Sequence, residues 1–282
     1  MVDDAYPNVV IQRSSVSLPT EGAAGSGLNW YIEGAEMLFR VPGIVRCQVT
    51  EGRRILYECE APATDRDVVP FLLSTGIGVV LHQRQLLALH ASAVSFNGHA
   101  VAICGASGVG KSTLAASLCA AGCGFVSDDV SVVHFDPRGT PIVLPDGRQH
   151  RLWADAVEHL ALTGRQGAPV RDSLQKYHVD PCTPAPSSTL PLKAIFVLRE
   201  VSLPMAPGIS RLSSADAAPL LRQDIFRKSV AHQMGRDAQL FFQIAALLGH
   251  VRVFRFDRES NLKTPESNVR LVLEQLEGSH AW

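Results

Sequence analysis

The segment from Gly105 to Ser112 carries the clearest chemical signal in this chain. It matches the pattern G-x-x-x-x-G-K-[ST] and reads Gly105, Ala106, Ser107, Gly108, Val109, Gly110, Lys111, Ser112, with Thr113 next. Glycines let successive backbone N–H groups face an anion, the lysine adds positive charge, and the serine hydroxyl can reach Mg²⁺. The pattern predicts a loop that binds the phosphates of a nucleotide such as ATP, with Ser112 on the metal.

Two adjacent aspartates form the second signal. Asp128 and Asp129 follow Lys111 by 17 and 18 positions and come directly after a short apolar run. In a phosphoryl-transfer site, one carboxylate helps to hold Mg²⁺ and a second can accept the proton of an attacking hydroxyl. The same Ser-Asp-Asp sequence also suits a turn at the end of a strand, so spacing alone leaves both interpretations open.

The elements around this segment can position these residues. An apolar run over 100–104 predicts a strand before the loop, and the spacing of Leu114 and Leu118 predicts a helix after it. Asn97-Gly98 between two apolar runs predicts a hairpin, which would bring His90 toward the loop. A lone histidine on an apolar strand is more often a core residue, so His90 alone carries little weight.

The composition sets limits on the class of protein. The 282 residues have a formal net charge of −1, with 19% charged residues. The charge pattern contains no basic stripe, so neither nucleic acid nor a membrane surface is an expected partner. The acidic start at Met1–Asp4 lacks a signal-like apolar region, and the six cysteines contain no C-x-x-C pair, which together predict a cytoplasmic protein.

The order of the predicted elements favours an α/β protein. Short apolar runs separated by Gly and Pro predict a β-rich region over 1–65, followed by a phosphate-loop domain over 66–282. Within that domain, apolar spacing predicts a helix over 151–162, and the polar, proline-containing residues 163–191 are predicted to form a long loop.

Taken together, His90, the loop and the aspartate pair resemble the catalytic domain of HPr serine kinase/phosphorylase. The resemblance is specific over residues 89–130. It implies an HPr-kinase-type α/β core that uses ATP and Mg²⁺. By position it implies that His90 is an active-site histidine, Lys111 the phosphate lysine and Ser112 a metal ligand. It further implies that Asp128 accepts the proton and that Asp129 is its acidic neighbour, which we assign to the metal.

The rest of the chain departs from those bifunctional enzymes. Their later Glu-x-Arg-Gly-x-Gly segment is absent. The flanking motifs, including Arg151-Leu152-Trp153 and Lys176-Tyr177, are more similar to HPr-kinase-like proteins of lasso-peptide biosynthesis. In those pathways such proteins phosphorylate the C-terminal serine of a precursor peptide. The resemblance therefore implies a precursor peptide or small protein as substrate, and hexameric relatives make a homo-oligomer an expectation.

Three functions remain as hypotheses. The first is a serine kinase that acts on a peptide or small protein. The second is a bifunctional HPr kinase/phosphorylase, and the third is a regulatory module that binds ATP without transfer. Three cations, Arg151, Arg171 and Lys176, are candidates for binding phosphate or a peptide carboxylate, although solvated loop charges are the simpler interpretation.

Overall fold

A computed structural model of the chain describes most of its residues. The described ranges are 8–17, 26–27, 29–33, 36–146, 148–170, 174–183, 187–202, 205–259 and 265–278. Backbone contacts divide the chain into two compact units: residues 1–87 with 227–239, and residues 88–226 with 240–282. The two-domain division expected from the sequence, at residue 65, stays a prediction.

The strands and helices are numbered in chain order. The strands are β1 Val10–Arg13, β2 Ser26–Gly27, β3 Trp30–Glu33, β4 Glu36–Val41, β5 Val45–Thr50, β6 Arg54–Cys59, β7 Leu87–Leu89, β8 Ser92–Phe96, β9 His99–Gly105, β10 Gly124–Ser127, β11 Ser131–Phe135, β12 Pro141–Val143, β13 His150–Trp153, β14 Gln166–Pro169, β15 Lys176–Val179, β16 Leu190–Val201, β17 Gly208–Arg211 and β18 Arg252–Glu259. The α-helices are α1 Asp65–Phe71, α2 Ile77–Gln83, α3 Lys111–Ala120, α4 Ala154–His159, α5 Ser214–Gln223, α6 Lys228–Gln233, α7 Asp237–Leu248 and α8 Pro265–Glu277.

The first unit is built on a β-sheet. Its strands lie in the order β1-β6-β5-β4-β3-β2, and all neighbours are antiparallel except β1 and β6. Thr64 begins α1 with a capping box that involves Asp67. Apolar side chains of the sheet and of the segment from α1 to α2 share one core, which includes Val45, Ile55 and Val79. The β-rich N-terminal region predicted from the sequence is confirmed.

The second unit is built on a larger, mixed sheet. Over the described residues, its main path runs β10-β8-β9-β16-β12-β11-β7, and β18 pairs with β16 and β17. The strand before the phosphate loop, β9, lies between antiparallel β8 and parallel β16. Because β9, β16 and β18 run in the same direction, their carboxyl ends lie at one edge of the sheet. The predicted α/β class is confirmed.

The predicted hairpin forms as expected. Asn97 and Gly98 have φ values of +47° and +76°, and Phe96 pairs with His99 across the two-residue turn. Positive φ at both central positions is the geometry that Asn-Gly favours, because it matches the twist of the two strands. The turn therefore fixes β8 beside the phosphate-loop strand.

Helices α3 and α8 pack together beside this sheet. Leu114 and Leu118 of α3 share a core with Phe196 and Phe256 of the parallel strands and with Val272 of α8. Most residues of α3 are buried, so the helix that follows the phosphate loop is packed against its neighbours on several sides. None of the helices within the described ranges combines the length and the apolar character needed to cross a membrane.

Two local predictions were wrong. The helix expected over 151–162 is confined to α4, and residues 150–153 form β13 instead. The segment 163–191, expected to be a loop, contributes β14 and β15, which pair with β13 in a three-stranded sheet. The apolar spacing suggested a helix here, but strand pairing across 20 or more residues overrides that local preference.

Candidate active site

The phosphate loop starts where β9 ends and finishes where α3 begins. Gly105, Gly108 and Gly110 have φ values of +129°, +84° and +87°, in a region that side chains other than glycine rarely adopt. These conformations turn the chain tightly before the first residue of α3, Lys111. The N-terminal N–H groups of a helix are unpaired and carry partial positive charge, which favours phosphate.

Two of these glycines are also required by their surroundings. A Cβ atom at Gly105 would lie 2.6 Å from the carbonyl oxygen of Leu198 on β16, and one at Gly110 would collide with the guanidinium of Arg258. Arg258 reaches back from the end of β18 and donates to the carbonyl of Val109 inside the loop. Two parallel strands, β16 next to β9 and β18 beyond it, therefore contact the loop.

Lys111 is folded over the loop. Its ammonium donates to the carbonyl oxygens of Gly105 at 2.8 Å and Ala106 at 3.1 Å, and the residue is only 7% exposed. Burial lowers the pKa of Lys111, and the nearby carboxyl group of Asp224 acts in the opposite direction. The predicted phosphate lysine thus makes interactions that a phosphate group can replace.

Asp128 is buried among hydrogen-bond donors. Its Oδ1 accepts hydrogen bonds from the hydroxyl of Ser112 at 2.8 Å and from that of Ser92 at 2.5 Å. Its Oδ2 accepts a hydrogen bond from the backbone N–H of Arg151 at 2.7 Å. The side chain is held from β8, α3 and β13 at once, and the residue is 1% exposed. This carboxylate is therefore fixed beside the hydroxyl that the motif assigns to Mg²⁺.

Asp129 is placed differently from its neighbour. Its φ is +76°, an uncommon conformation for a residue other than glycine, and its carboxylate lines an open cavity. Its Oδ2 accepts the Nη1 of Arg151 at 2.7 Å. Unusual backbone conformations of this kind persist where the surrounding structure enforces them, and they cluster at functional sites.

His90 lies beside Asp129. Its Nδ1 is 3.0 Å from the carbonyl oxygen of Asp129 and 3.5 Å from that residue's Oδ1. Because a carbonyl oxygen can only accept, the Nδ1 of His90 carries a proton in this contact. Burial, reinforced by the charge of Lys111, lowers the pKa of His90, so the imidazole is neutral at pH 7.

A cavity of about 490 Å³ joins the phosphate loop to Asp129. Its walls come from the loop and the start of α3, from β8 and the residues just before it, from β13, α4 and β15, and from the ends of β16 and β18. The lining residues are His90, Ser92, Ser107, Gly108, Gly110, Lys111, Ser112, Thr113, Asp129, Arg151, Trp153, Asp155, Ala156, Lys176, Glu200 and Arg258. Phosphate ligands, a carboxylate and several cations therefore face one space.

The three cations singled out in the sequence have different positions. Arg151 is not a solvated loop charge, because it lies in β13 and is paired with Asp129. Lys176 pairs with Trp153 across β13 and β15, and its Nζ is 5.9 Å from the centre of the Trp153 ring. Arg171 lies outside the described residues.

Several residues at the site were not foreseen from the sequence. Asp224, at the end of α5, is only 9% exposed, and its backbone carbonyl accepts a hydrogen bond from the backbone N–H of His90 at 2.6 Å. Arg258 and Glu200 could have been suspected, because both lie near the carboxyl ends of parallel strands, at the edge that carries the loop. Trp153 is an aromatic side chain that remains 47% exposed beside the cavity.

The oxygen atoms around Ser112 are of the kind that binds Mg²⁺. A hydroxyl and two aspartates supply hard oxygen ligands, and magnesium is commonly held by one or two carboxylates together with substrate phosphates. The hydroxyl of Ser112 and the Oδ1 of Asp128 already lie 2.8 Å apart. Ser112 and Asp128 therefore place two hard oxygen atoms side by side, as the predicted metal would require.

Comparisons with known proteins give matches among solved structures only. No family model and no curated protein matches this chain. Among solved structures, the chain is similar to the Hpr(Ser) kinase/phosphatase from Coxiella burnetii, with 13% sequence identity and a TM-score of 0.36. The match covers 68% of this chain and 97% of that chain.

Proposed function

We propose that this protein is an ATP- and Mg²⁺-dependent kinase that phosphorylates a hydroxyl group of a peptide or small protein. One observation carries the proposal: Asp129, a carboxylate in a strained conformation, faces the same cavity as Lys111 and Ser112 of the phosphate loop. This carboxylate is in addition to Asp128, which already lies beside Ser112, so it is available for a second role.

The phosphate loop would bind the triphosphate. Backbone N–H groups of residues 106–112 would surround the β- and γ-phosphates, and Lys111 would exchange its two carbonyl partners for phosphate oxygens. Ser112 and Asp128 would hold Mg²⁺, which screens the negative charge of the phosphates when it is bound. Arg258 adds a second cation next to Gly110.

The two aspartates would exchange the roles that the sequence resemblance implied, in which Asp128 accepts the proton and Asp129 binds the metal. Asp128 has three donors on its carboxylate and is almost fully buried, so it favours a role beside the metal. Asp129 faces the cavity, so it favours the role of proton acceptor. In the transfer step, the acceptor oxygen bonds to the γ-phosphorus as its proton passes to Asp129, and the bond from that phosphorus to the leaving ADP oxygen breaks.

His90 would position Asp129 rather than react. Its Nδ1 donates to the backbone carbonyl of Asp129, which helps to hold the positive φ of that residue. Correct placement of reacting groups can supply a large part of the rate enhancement in phosphoryl transfer.

The acceptor would approach along the wall formed by β13 and β15. Arg151 and Trp153 project from the same face of β13, because alternate residues of a strand share a face. Arg151 on this face is paired with Asp129, and Trp153 and Lys176 line the same cavity. An acceptor that contacts Trp153 and Lys176 would therefore lie near the carboxylate of Asp129. A serine is the acceptor that the sequence resemblance favours, and the C-terminal serine of a lasso precursor peptide is its most specific form.

The test is phosphoryl transfer from labelled ATP. The protein would be incubated with Mg²⁺, γ-labelled ATP and a library of serine-containing peptides, including peptides that end in serine, and the products read by mass spectrometry. The proposal expects label on serine with wild-type protein and about a hundredfold less, or none, with Asp129→Asn. ATP binding by both proteins, with no transfer to any peptide, would favour the regulatory module instead.

A further inference from the structure

One cation on the wall of the active-site cavity has no acidic partner among the described residues. The cationic side chains that line this cavity are Lys111, Arg151, Lys176 and Arg258. Lys111 donates to two carbonyl oxygens of the phosphate loop, and Arg258 donates to a third. Arg151 is paired with Asp129. Within the described ranges no carboxylate forms an ion pair with Lys176, so its charge remains for a ligand.

Lys176 is held over an aromatic ring. It pairs with Trp153 across β13 and β15, and its Nζ lies 5.9 Å from the centre of the Trp153 ring. A cation within about 6 Å of an aromatic ring is attracted to the face of that ring. Trp153 is 47% exposed and lines the same cavity. The ring therefore positions the ammonium in the cavity and offers an apolar surface beside it.

This pair lies close to the proposed proton acceptor, Asp129. Arg151 and Trp153 are two residues apart on β13, so their side chains share a face at a spacing of about 6–7 Å. Arg151 is the residue paired with Asp129. An extended peptide advances by about 3.3 Å per residue, so a group one or two residues away from an acceptor serine at Asp129 lies within reach of Lys176.

We infer that Lys176 is a specificity-determining residue that binds a carboxylate of the acceptor peptide, within two residues of the serine that is phosphorylated. Either the side chain of an aspartate or glutamate next to that serine or the C-terminal carboxylate of a peptide that ends in serine supplies this group. Trp153 packs against the adjoining apolar part of the peptide. The inference rests on the proposed kinase function and adds the chemical class of its acceptor.

Four peptides of one base sequence separate the carboxylate from its source. The first ends in serine with a free carboxylate, and the second is its C-terminal amide. In the third, which is also amidated, an aspartate follows the serine, and the fourth has asparagine in place of that aspartate. With wild-type protein and ATP·Mg²⁺, kcat/KM for the first or the third peptide should exceed that of its uncharged partner by about five- to tenfold, the effect of a charge-assisted hydrogen bond in a half-open cavity. The pair that shows the difference identifies the source.

Substitutions of Lys176 test whether this preference depends on its charge. Lys176→Gln removes the charge and keeps a polar side chain, so it should lower kcat/KM for the preferred peptide to that of its uncharged partner. The rate with the uncharged partner and the KM for ATP should not change, which also shows that the variant is folded. Lys176→Arg keeps the charge and should keep most of the preference. The matched control is Lys228→Gln, at an exposed lysine that begins α6 and does not line the cavity.

Steady-state kinetics with the four peptides decides between the outcomes. Equal rates of wild type with both members of each pair, or a preference that survives in K176Q, overturn the inference and leave the kinase function standing. A larger effect of K176Q on the KM for ATP than on the peptide would place Lys176 against the nucleotide and overturn the inference as well. If wild type binds ATP but labels no serine peptide, the proposed function is overturned and the inference with it.

Discussion

The hydroxyl of Ser112 donates to the Oδ1 of Asp128 over 2.8 Å, which joins the end of the phosphate-binding motif to the first residue of the aspartate pair. Asp129, the next residue, points into the cavity and is paired with Arg151. Asp128 is therefore buried while its neighbour Asp129 faces the cavity, so substitutions at the two positions should have different effects.

Asp129→Asn is expected to lower phosphoryl transfer by about a hundredfold or more while ATP affinity changes less than threefold. The amide cannot take a proton from the acceptor, and general-base catalysis contributes on this order. Asparagine tolerates positive φ, so the fold should be kept. Steady-state kinetics together with calorimetry would check both parts, and equal turnover by D129N and wild type would exclude Asp129 as the base.

Asp128→Asn is expected to lower stability by about 1–3 kcal/mol and to weaken the effect of Mg²⁺ on ATP binding. The carboxylate of Asp128 accepts hydrogen bonds from Ser112, Ser92 and Arg151, whereas one end of the asparagine amide can only donate. At least one buried donor would then lose its acceptor, which costs about 1–3 kcal/mol. Urea unfolding and ATP titrations with and without Mg²⁺ measure the two effects. Normal stability with normal Mg²⁺ dependence would contradict the assignment.

Substitutions of His90 test whether its Nδ1 positions the backbone of Asp129. His90→Ala should lower transfer by about ten- to a hundredfold, because it removes the donor that holds the carbonyl of Asp129. His90→Asn can place an N–H near the position of Nδ1 and should recover part of the rate, whereas His90→Gln cannot. Equal losses in all three variants would argue against positioning through Nδ1.

Gly110→Ala is expected to weaken ATP binding at least tenfold. Its φ is +87°, which strains any residue with a Cβ atom, and the added carbon would also displace the guanidinium of Arg258 from the loop. The matched control is Gly122→Ala, which also has positive φ, at +102°, but has open space around the added carbon. The control should lose about 1–2 kcal/mol of stability and bind ATP normally. Nucleotide titrations and thermal unfolding of both variants would compare them.

Asp224 also predicts how stability depends on pH. The pKa is about 6 in the folded protein, above the ordinary value of 3.8, so the folded state holds a proton that the unfolded state releases. Stability attributable to this group therefore falls as pH rises from about 4 to 6, and the loss is complete above pH 6. The shift corresponds to roughly 3 kcal/mol at most. Asp224→Asn should thus gain stability over wild type at pH 8 but not at pH 4, as measured by urea unfolding.

Local signals in the sequence predicted the parts of the site that are close along the chain. The glycine spacing located the loop, and Asn97-Gly98 placed β8 beside β9, because a two-residue turn fixes its own register. His90, expected on that strand, lies instead in the bend between β7 and β8. The aspartate pair was also located, although its two side chains face different surroundings that spacing cannot distinguish.

The remaining parts depend on contacts across long stretches of chain. Residues 150–153 pair with 176–179, and that pairing, rather than any local preference, makes them a strand. Asp224 lies more than 100 residues beyond His90 and is preceded by an ordinary helix, so nothing near it in the sequence indicates that its carbonyl accepts the N–H of His90. Arg258 reaches the loop only because β18 adds to β16.

The position of β9 between β8 and β16 has a consequence during synthesis. The hairpin partner β8 is made just before β9, whereas β16 follows it by almost 90 residues, and the carbonyl of Leu198 packs directly over Gly105. A nascent chain released up to residue 190 would contain the whole phosphate-binding motif but not the strand that shapes its first turn. The contact between Leu198 and Gly105 can therefore form only after the ribosome has extended the chain well past the motif.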